Sequence, residues 1–398
     1  MNATARRKRP NKPCKFHSTD GTLKRQEKER SPALTKYSQK QLDNCWWTPA
    51  GAGLPLTNPA TQSRSGGTTI QLIATFFLLV TIGLCFVGWT TNPPEESTKA
   101  ALLKTGQLLN VHQFDYRLNS PQICAESTVQ QPFFLALVHS KANHFRQRQV
   151  IRQTWASQHD LIRHVFLVGL ADQTGLEGTM DIQSLLESEN AKYSDLVQGD
   201  FVDHYRNLTY KNLMGLKWIG QYCPSVRFVL KSDDDAFIDV LQLQKFIERT
   251  WPSGPPPETL ICNVHEDALV QRSGKWAVSR EEYPSNTYPA FCSGLAYVMR
   301  PQLASKLFRS ASKVPALWVD DVFVTGILAA SVNVRHFYLN LRYTHQQDDL
   351  VQWLETNLPS NPLPFIVSEL DTSRPEWPRL AHRLWNRTCT YNAADSDS

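Results

Sequence analysis

The stretch IQLIATFFLLVTIGLCFVGW, Ile70 to Trp89, carries no charged residue, and only Gln71, Thr75 and Thr81 interrupt its apolar character strongly. As a helix its 20 residues would span about 30 Å, the thickness of a bilayer's hydrocarbon core. So long a run must sit in lipid or deep inside protein. The absence of charge from Ser65 to Pro94 favours lipid over a buried core helix. A cleaved signal peptide fits less well, because the run begins about 70 residues into the chain and is longer than an h-region.

A single predicted span over 69–90 divides the 398 residues. Residues 1–68 hold 13 Lys and Arg, with RRKR at Arg6 to Arg9, against 4 Asp and Glu. That balance of +9 leaves −4 for the rest of a chain whose net charge is +5. Positive residues favour the cytosolic side of a membrane. The expected arrangement is therefore type II, with the amino end cytosolic and everything after about residue 90 in the lumen or outside. The basic tail is rich in Pro and Ser, which reads as a disordered cytosolic segment and not as a nucleic-acid-binding arm.

Of the 8 cysteines, Cys124, Cys223, Cys262, Cys292 and Cys389 fall on the expected lumenal side, where disulfides persist. Five is odd, so at least one is expected to be free or paired with another chain. None of the five forms a CxxC zinc pattern. Two glycosylation sequons, NLT at Asn207 and NRT at Asn386, share that side, and a third at Asn2 would face the cytosol.

From 91 to 130 the chain is polar with little periodicity and reads as a lumenal stem. After it come short β-rich apolar runs: FFLALV (Phe133 to Val138), HVFLVGL (His164 to Leu170), RFVL (Arg227 to Leu230) and LICNV (Leu260 to Val264). Such runs suit strands buried on both faces. Helical patterns separate them: RQRQVIRQTWA follows the first, and in LTYKNLMGLKWIGQY the residues Tyr210, Leu213, Met214 and Trp218 share one face. Strand and helix alternating in this way predict an α/β domain with a mostly parallel sheet, over about 131–392.

FVLKSDDDAFID, Phe228 to Asp239, places three adjacent carboxylates directly after one of these strands. Adjacent like charges cost free energy unless a cation or solvent relieves them. In open α/β sheets, ligands bind beyond the carboxyl ends of the strands, which is where Asp233, Asp234 and Asp235 would lie. An EF-hand loop starting at Asp233 fails, since it puts Ile238 where Gly is required and Gln244 where the bidentate Glu belongs. A solvated acidic turn is the competing reading. The reading preferred here is a hard divalent cation held by one or two carboxylates and completed by substrate phosphates.

At this point the chain resembles the inverting β-1,3-glycosyltransferases, the family of β-1,3-galactosyltransferases and β-1,3-N-acetylglucosaminyltransferases. RQRQVIRQTWA is similar to the family's R-x-x-I-R-x-T-W segment, and the block from Asp195 to Asp239 is similar to its long central block. KWAVSREEYPSNTYPAFCSGLAYVM resembles its K-W…Y-P…Y-C-S-G segment, and DDVFVTG (Asp320 to Gly326) resembles its E-D-V motif. The likeness runs from about 131 to 330. Asp320 stands where the family has Glu, and Thr325 precedes Gly326 where the family more often has Gly directly.

The resemblance implies a GT-A-like fold, a UDP-sugar donor, a glycan acceptor on protein or lipid, manganese and a Golgi location. It implies transfer of a hexose, galactose first, to a 3-hydroxyl with inversion, with N-acetylglucosamine or N-acetylgalactosamine as the alternative sugar. It places the catalytic base on Asp321, with Asp320 orienting it or the acceptor. Metal contact falls to Asp235, Asp233 and a late His, taken as His345 in preference to His336. Asp233, Asp234 and Lys231 would face the nucleotide sugar, as would Arg148, Arg152 and Trp155 after the first strand. Trp276 and Tyr283 are expected in an acceptor lid. An inactive lectin-like homologue would keep the sugar site without the base, and the presence of both acidic motifs argues against it.

Overall fold

The computed structural model describes residues 115–125, 132–171, 181–358 and 361–396. The expected span at 69–90 and the basic tail lie outside the described residues. Among the described residues no helix is long and apolar enough to cross a membrane.

An eight-stranded sheet runs in the order β1-β4-β3-β2-β5-β8-β7-β9. Its centre is parallel: β2 (Phe134–His139) pairs with β3 (Ile162–Leu170) and β5 (Phe228–Asp233), and β3 pairs with β4 (Leu196–Val202). β2 is buried at every position, as expected of a strand covered on both faces. β8 (Phe291–Met299) runs antiparallel to both β5 and β7 (Thr259–His265), and β9 (Arg335–Tyr338) adds a parallel edge to β7. The α/β expectation holds, with the antiparallel β8 inserted beside the acid-bearing strand.

The segment read as a stem contributes to the domain. β1 (Tyr116–Leu118) pairs with the edge strand β4, and a disulfide joins Cys124 to Cys223. A second joins Cys262 of β7 to Cys292 of β8. Cys389 is disulfide-bonded too, so the odd count leaves none of the five as a free thiol.

The helices confirm the periodicity. RQRQVIRQ lies in α1 (Phe145–Gln153), and its TWA continues into a single 3-10 turn at Trp155–Ser157. LTYKNLMGLKWIGQY is a helix throughout (Leu208–Tyr222), with Leu213, Met214 and Trp218 fully buried and Tyr210 at the margin. The carboxyl-terminal region, which the sequence leaves unexplained, forms β11 (Val367–Glu369) and a long helix (Trp377–Ser396). β11 pairs with β6 (Ala236–Ile238) and with β10 (Tyr343–Thr344), making a separate three-stranded sheet. That small sheet bears on the site.

Candidate active site

β5 ends at Asp233, the chain turns through Asp234 and Asp235, and β6 leaves the large sheet to pair with β11. Asp239 then caps the next helix by accepting from the Gln242 amide at 2.9 Å. Each acid of the triplet meets a different neighbour. Asp233 accepts from Lys231 Nζ at 2.5 Å. Asp234 accepts from Ser140 Oγ at 2.6 Å and lies 2.9 Å from His144 Nδ1. Asp235 presents a buried Oδ1 with no partner.

Desolvation pushes the Asp233 carboxyl up to about 7 despite the pull of Lys231. Desolvation and the charges of Asp234 and Glu369 push Asp235 up to about 6. Lys231 is buried; desolvation lowers its pKa, but the charges of Asp233 and Asp320 more than offset this and raise it.

The small sheet brings a third group to Asp235. Glu369 of β11 faces Ala236 in register, and the amide of Leu370 donates to the Asp235 carbonyl at 2.8 Å. His345 follows β10 and places Nδ1 2.8 Å from Glu369 Oε2. That hydrogen bond, with the charges of Glu369 and Asp235, raises the His345 pKa. His336 instead sits 2.7 Å from the Thr325 carbonyl, on the far side of the motif. Glu369 was missed by the sequence reading: a lone acid 134 positions beyond Asp235 signals nothing until the strands pair.

The second acidic pair starts a π-helix (Val322–Leu328), a form that recurs at functional sites. Asp321 Oδ1 accepts from the Val322 amide at 2.8 Å, so its capping role is real. Its other oxygen faces Gly294 of β8, where a Cβ would stand 3.3 Å from Oδ2. The Gly294 carbonyl accepts from Lys231, the residue that also binds Asp233. Burial and the adjacent Asp320 push Asp321 up to about 7. Asp320 accepts from Asn212 Nδ2 at 3.0 Å, and Asn212 accepts from Tyr297 OH at 3.1 Å. Thr325 explains its departure from the family pattern: it donates to the Asp321 carbonyl at 2.6 Å and accepts from the Cys292 amide at 2.9 Å, tying the π-helix to β8.

Gly294→Ala is expected to push the Asp321 carboxylate aside by a few tenths of an ångström, because the added Cβ would stand 3.3 Å from Oδ2. A crystal structure of the variant checks this.

The structure corrects the expectation for Arg148, Arg152 and Trp155. Arg148 is fully buried and donates to Glu189, to Ser140 Oγ and to the Lys141 and Ala142 carbonyls. Arg152 pairs with Asp195 at 2.7 Å and with Glu189 at 2.8 Å. Trp155 is 1% exposed and donates to the Ala236 carbonyl at 3.1 Å. These residues brace the loop and turn beneath the acids through internal pairings. Arg148→Met should cost about 3 kcal/mol of stability, the range for breaking a buried ion pair, with donor KM unchanged in the folded fraction. Chemical denaturation and kinetics separate the two.

Of the two residues expected in an acceptor lid, Trp276 is half exposed and donates from Nε1 to Tyr205 OH at 2.6 Å. Tyr205 lies within electrostatic reach of both acidic motifs: desolvation and the charges of Asp320, Asp321 and Asp233 raise its phenol. Tyr283 packs its ring 5.1 Å from that of Tyr288 at a 47° tilt, with its carbonyl accepting from Arg272 at 2.9 Å. Of the sequon residues, the Asn207 amide donates to the Val202 carbonyl at 2.9 Å, while Asn386 is exposed on the last helix.

The geometry joins two acidic motifs across β5 and β8, bridged by Lys231. A family model described as Galactosyltransferase matches residues 146–340. The chain is 32% identical to human beta-1,3-galactosyltransferase 5 over 269 residues, 65% of this chain and 79% of that protein. It is 33% identical to mouse beta-1,3-galactosyltransferase 2 over 234 residues, 56% of this chain and 53% of that protein. The chain thus spans about half the length of the latter relative. A solved galactosyltransferase, LgtC, aligns over 66% of this chain and 95% of its own at 13% identity with a TM-score of 0.34, too remote to decide anything about this fold. The chain belongs to the β-1,3-glycosyltransferase family.

Proposed function

We propose that the chain is an inverting galactosyltransferase that moves galactose from UDP-galactose to the 3-hydroxyl of an acceptor glycan on protein or lipid, forming a β-1,3 linkage. The observation that carries it is the convergence of Asp233–Asp235 with Asp320–Asp321 at one end of the sheet, bridged by Lys231. One cluster suits an anionic donor and its counter-charge; the other supplies a carboxylate raised to about 7 for a proton. The names of its relatives, beta-1,3-galactosyltransferases 2 and 5, favour galactose over an N-acetylhexosamine.

In the reaction the acceptor oxygen forms a bond to the anomeric carbon from the face opposite UDP. The bond to UDP breaks with its electron pair, and the acceptor proton passes to Asp321. Lys231 holds Asp233, and Asn212 holds Asp320, so both motifs keep their orientation.

The acids fit a divalent cation, manganese by resemblance. The orphaned Asp235 Oδ1 aims a buried lone pair at no partner, and His345 is brought to the same edge by the small sheet. Asp235 would contact the metal first, with Asp233 on one side and His345 on the other as the candidates for a second ligand, and bound there it would offset the charge of the departing pyrophosphate. Among the described residues no three His, Cys, Asp or Glu side chains stand together closely enough to hold a metal ion by themselves, so a cation here would take its remaining ligands from the pyrophosphate oxygens, as is usual for hard cations on phosphate substrates.

The uncharged run at Ile70 to Trp89 supports a type II anchor, and the disulfides support an oxidising lumen, in keeping with a Golgi membrane location. Trp276, beside Tyr205, lines the acceptor side, and Asn207 and Asn386 are glycosylation sites of that compartment.

The test is a donor panel. Detergent-purified full chain with Mn²⁺ and β-glycoside acceptors should consume UDP-galactose at least tenfold faster than UDP-N-acetylglucosamine or UDP-N-acetylgalactosamine. A preference for either of the others overturns the sugar assignment.

A further inference from the structure

His139 closes β2 and lies in register with Asp233 of β5. It is 5% exposed, and neither ring nitrogen has a hydrogen-bond partner. Buried polar groups are almost always paired, so a ring with both nitrogens idle calls for an explanation. Its surroundings are charged. Lys211 reaches past it to the Ser140 carbonyl at 2.6 Å. Lys231 lies on the adjoining strand, two residues before Asp233. Desolvation and these two ammonium groups hold the ring neutral. The nearest acceptor is Asp320, with Oδ2 4.0 Å from His139 Nδ1. That gap is too long for a hydrogen bond. A movement of about 1 Å brings Nδ1 within hydrogen-bond reach of Oδ2, and catalytic hydrogen bonds are often long before substrate binds.

We propose that His139 is a positioning residue for Asp320: its Nδ1–H closes onto Asp320 Oδ2 when donor fills the site, fixing the carboxylate beside the base. Asp320 then holds two donors, Asn212 Nδ2 and His139 Nδ1. Its charge stays on the far side of the pair, and Asp321 is left to receive the acceptor proton. The shorter Asp, in place of the family's Glu, sits at a length where the ring can reach it from β2. This inference rests on the proposed transferase reading, in which Asp321 is the base.

The experiment compares variants of the full chain. His139→Leu fills the same space and removes an unpaired polar group, so its melting temperature should not fall. Its kcat should drop about tenfold or more, the usual size of a hydrogen bond to a charged group, with UDP affinity within twofold of wild type. His139→Asn, whose amide nitrogen overlies Nδ1, should recover kcat to within threefold of wild type, whereas a merely space-filling role would not. A His139→Leu protein with kcat within twofold of wild type overturns the proposal. Nitrogen-15 NMR of the wild-type ring with UDP bound provides a measurement independent of folding variants. A neutral, Nδ1-protonated ring is expected, and an Nε2-protonated or charged ring contradicts the pairing. If the wild-type chain transfers from no UDP-sugar, the transferase reading fails, while the ring tautomer still decides the pairing.

Discussion

Asp321→Asn should fold, bind UDP and lose transfer by 10²- to 10⁴-fold, the range for a missing general base. The cap at Asp321 makes this a clean comparison. Oδ1 accepts from the Val322 amide, and Asn caps as well as Asp does, so the π-helix keeps its start and the melting temperature should move little. What the substitution removes is the group that takes a proton at Oδ2, the oxygen facing Gly294. Retention of more than about a tenth of wild-type kcat would remove Asp321 from the role.

The pH profile carries the same claim. Burial and Asp320 raise the Asp321 carboxyl to about 7, and the base works only when deprotonated. Activity should therefore rise as pH climbs through about 7 and fall below it. Asp320→Asn removes a like charge, which lowers the Asp321 pKa, so the acidic limb should move to lower pH. A limb that stays in place in that variant means the charge of Asp320 does not govern the base.

Asp235→Ala should abolish metal-dependent transfer, by about 10²-fold or more, since a Lewis acid at a leaving phosphate supplies several kcal/mol. Stability should move the other way or not at all. The triplet repels itself, and desolvation already raises both Asp233 and Asp235, so removing one acid relieves the folded state in the absence of metal. A thermal shift that UDP with Mn²⁺ produces in wild type should vanish in the variant. Unchanged transfer by Asp235→Ala, or full activity in excess chelator, refutes the metal site. His345→Ala should weaken metal affinity less, because one of its ring nitrogens is already engaged by Glu369.

The sequence made the core and both acidic motifs legible because each depends on local pattern. β2, β3, β5 and β7 announce themselves as unbroken apolar runs. β4 does not, because Gln198, Gly199 and Asp200 break its run, although Gln198 is fully buried and donates to the Gly169 carbonyl at 3.0 Å. β8 carries Ser293, Gly294 and Ala296 in its middle, small residues that read as loop but let Asp321 and Lys231 approach the strand. The arginines misled for a different reason. Two Arg one turn apart after a strand look like phosphate ligands, and only the fold brings Glu189 and Asp195 against them. Glu369 and His139 were invisible for the same reason: their meaning comes from strand register with β6 and β5, not from any neighbour in sequence.

The stereochemistry of the first product formed tests the central claim most directly. Full-length protein, UDP-galactose, Mn²⁺ and a β-galactoside or β-N-acetylglucosaminide acceptor, followed by NMR as the reaction runs, should yield a β-linked galactose on the acceptor 3-oxygen. In-line attack aided by a base on the face opposite UDP permits no other anomer. An α-linked product, or a β-linked one that Asp321→Asn makes at the wild-type rate, would contradict it.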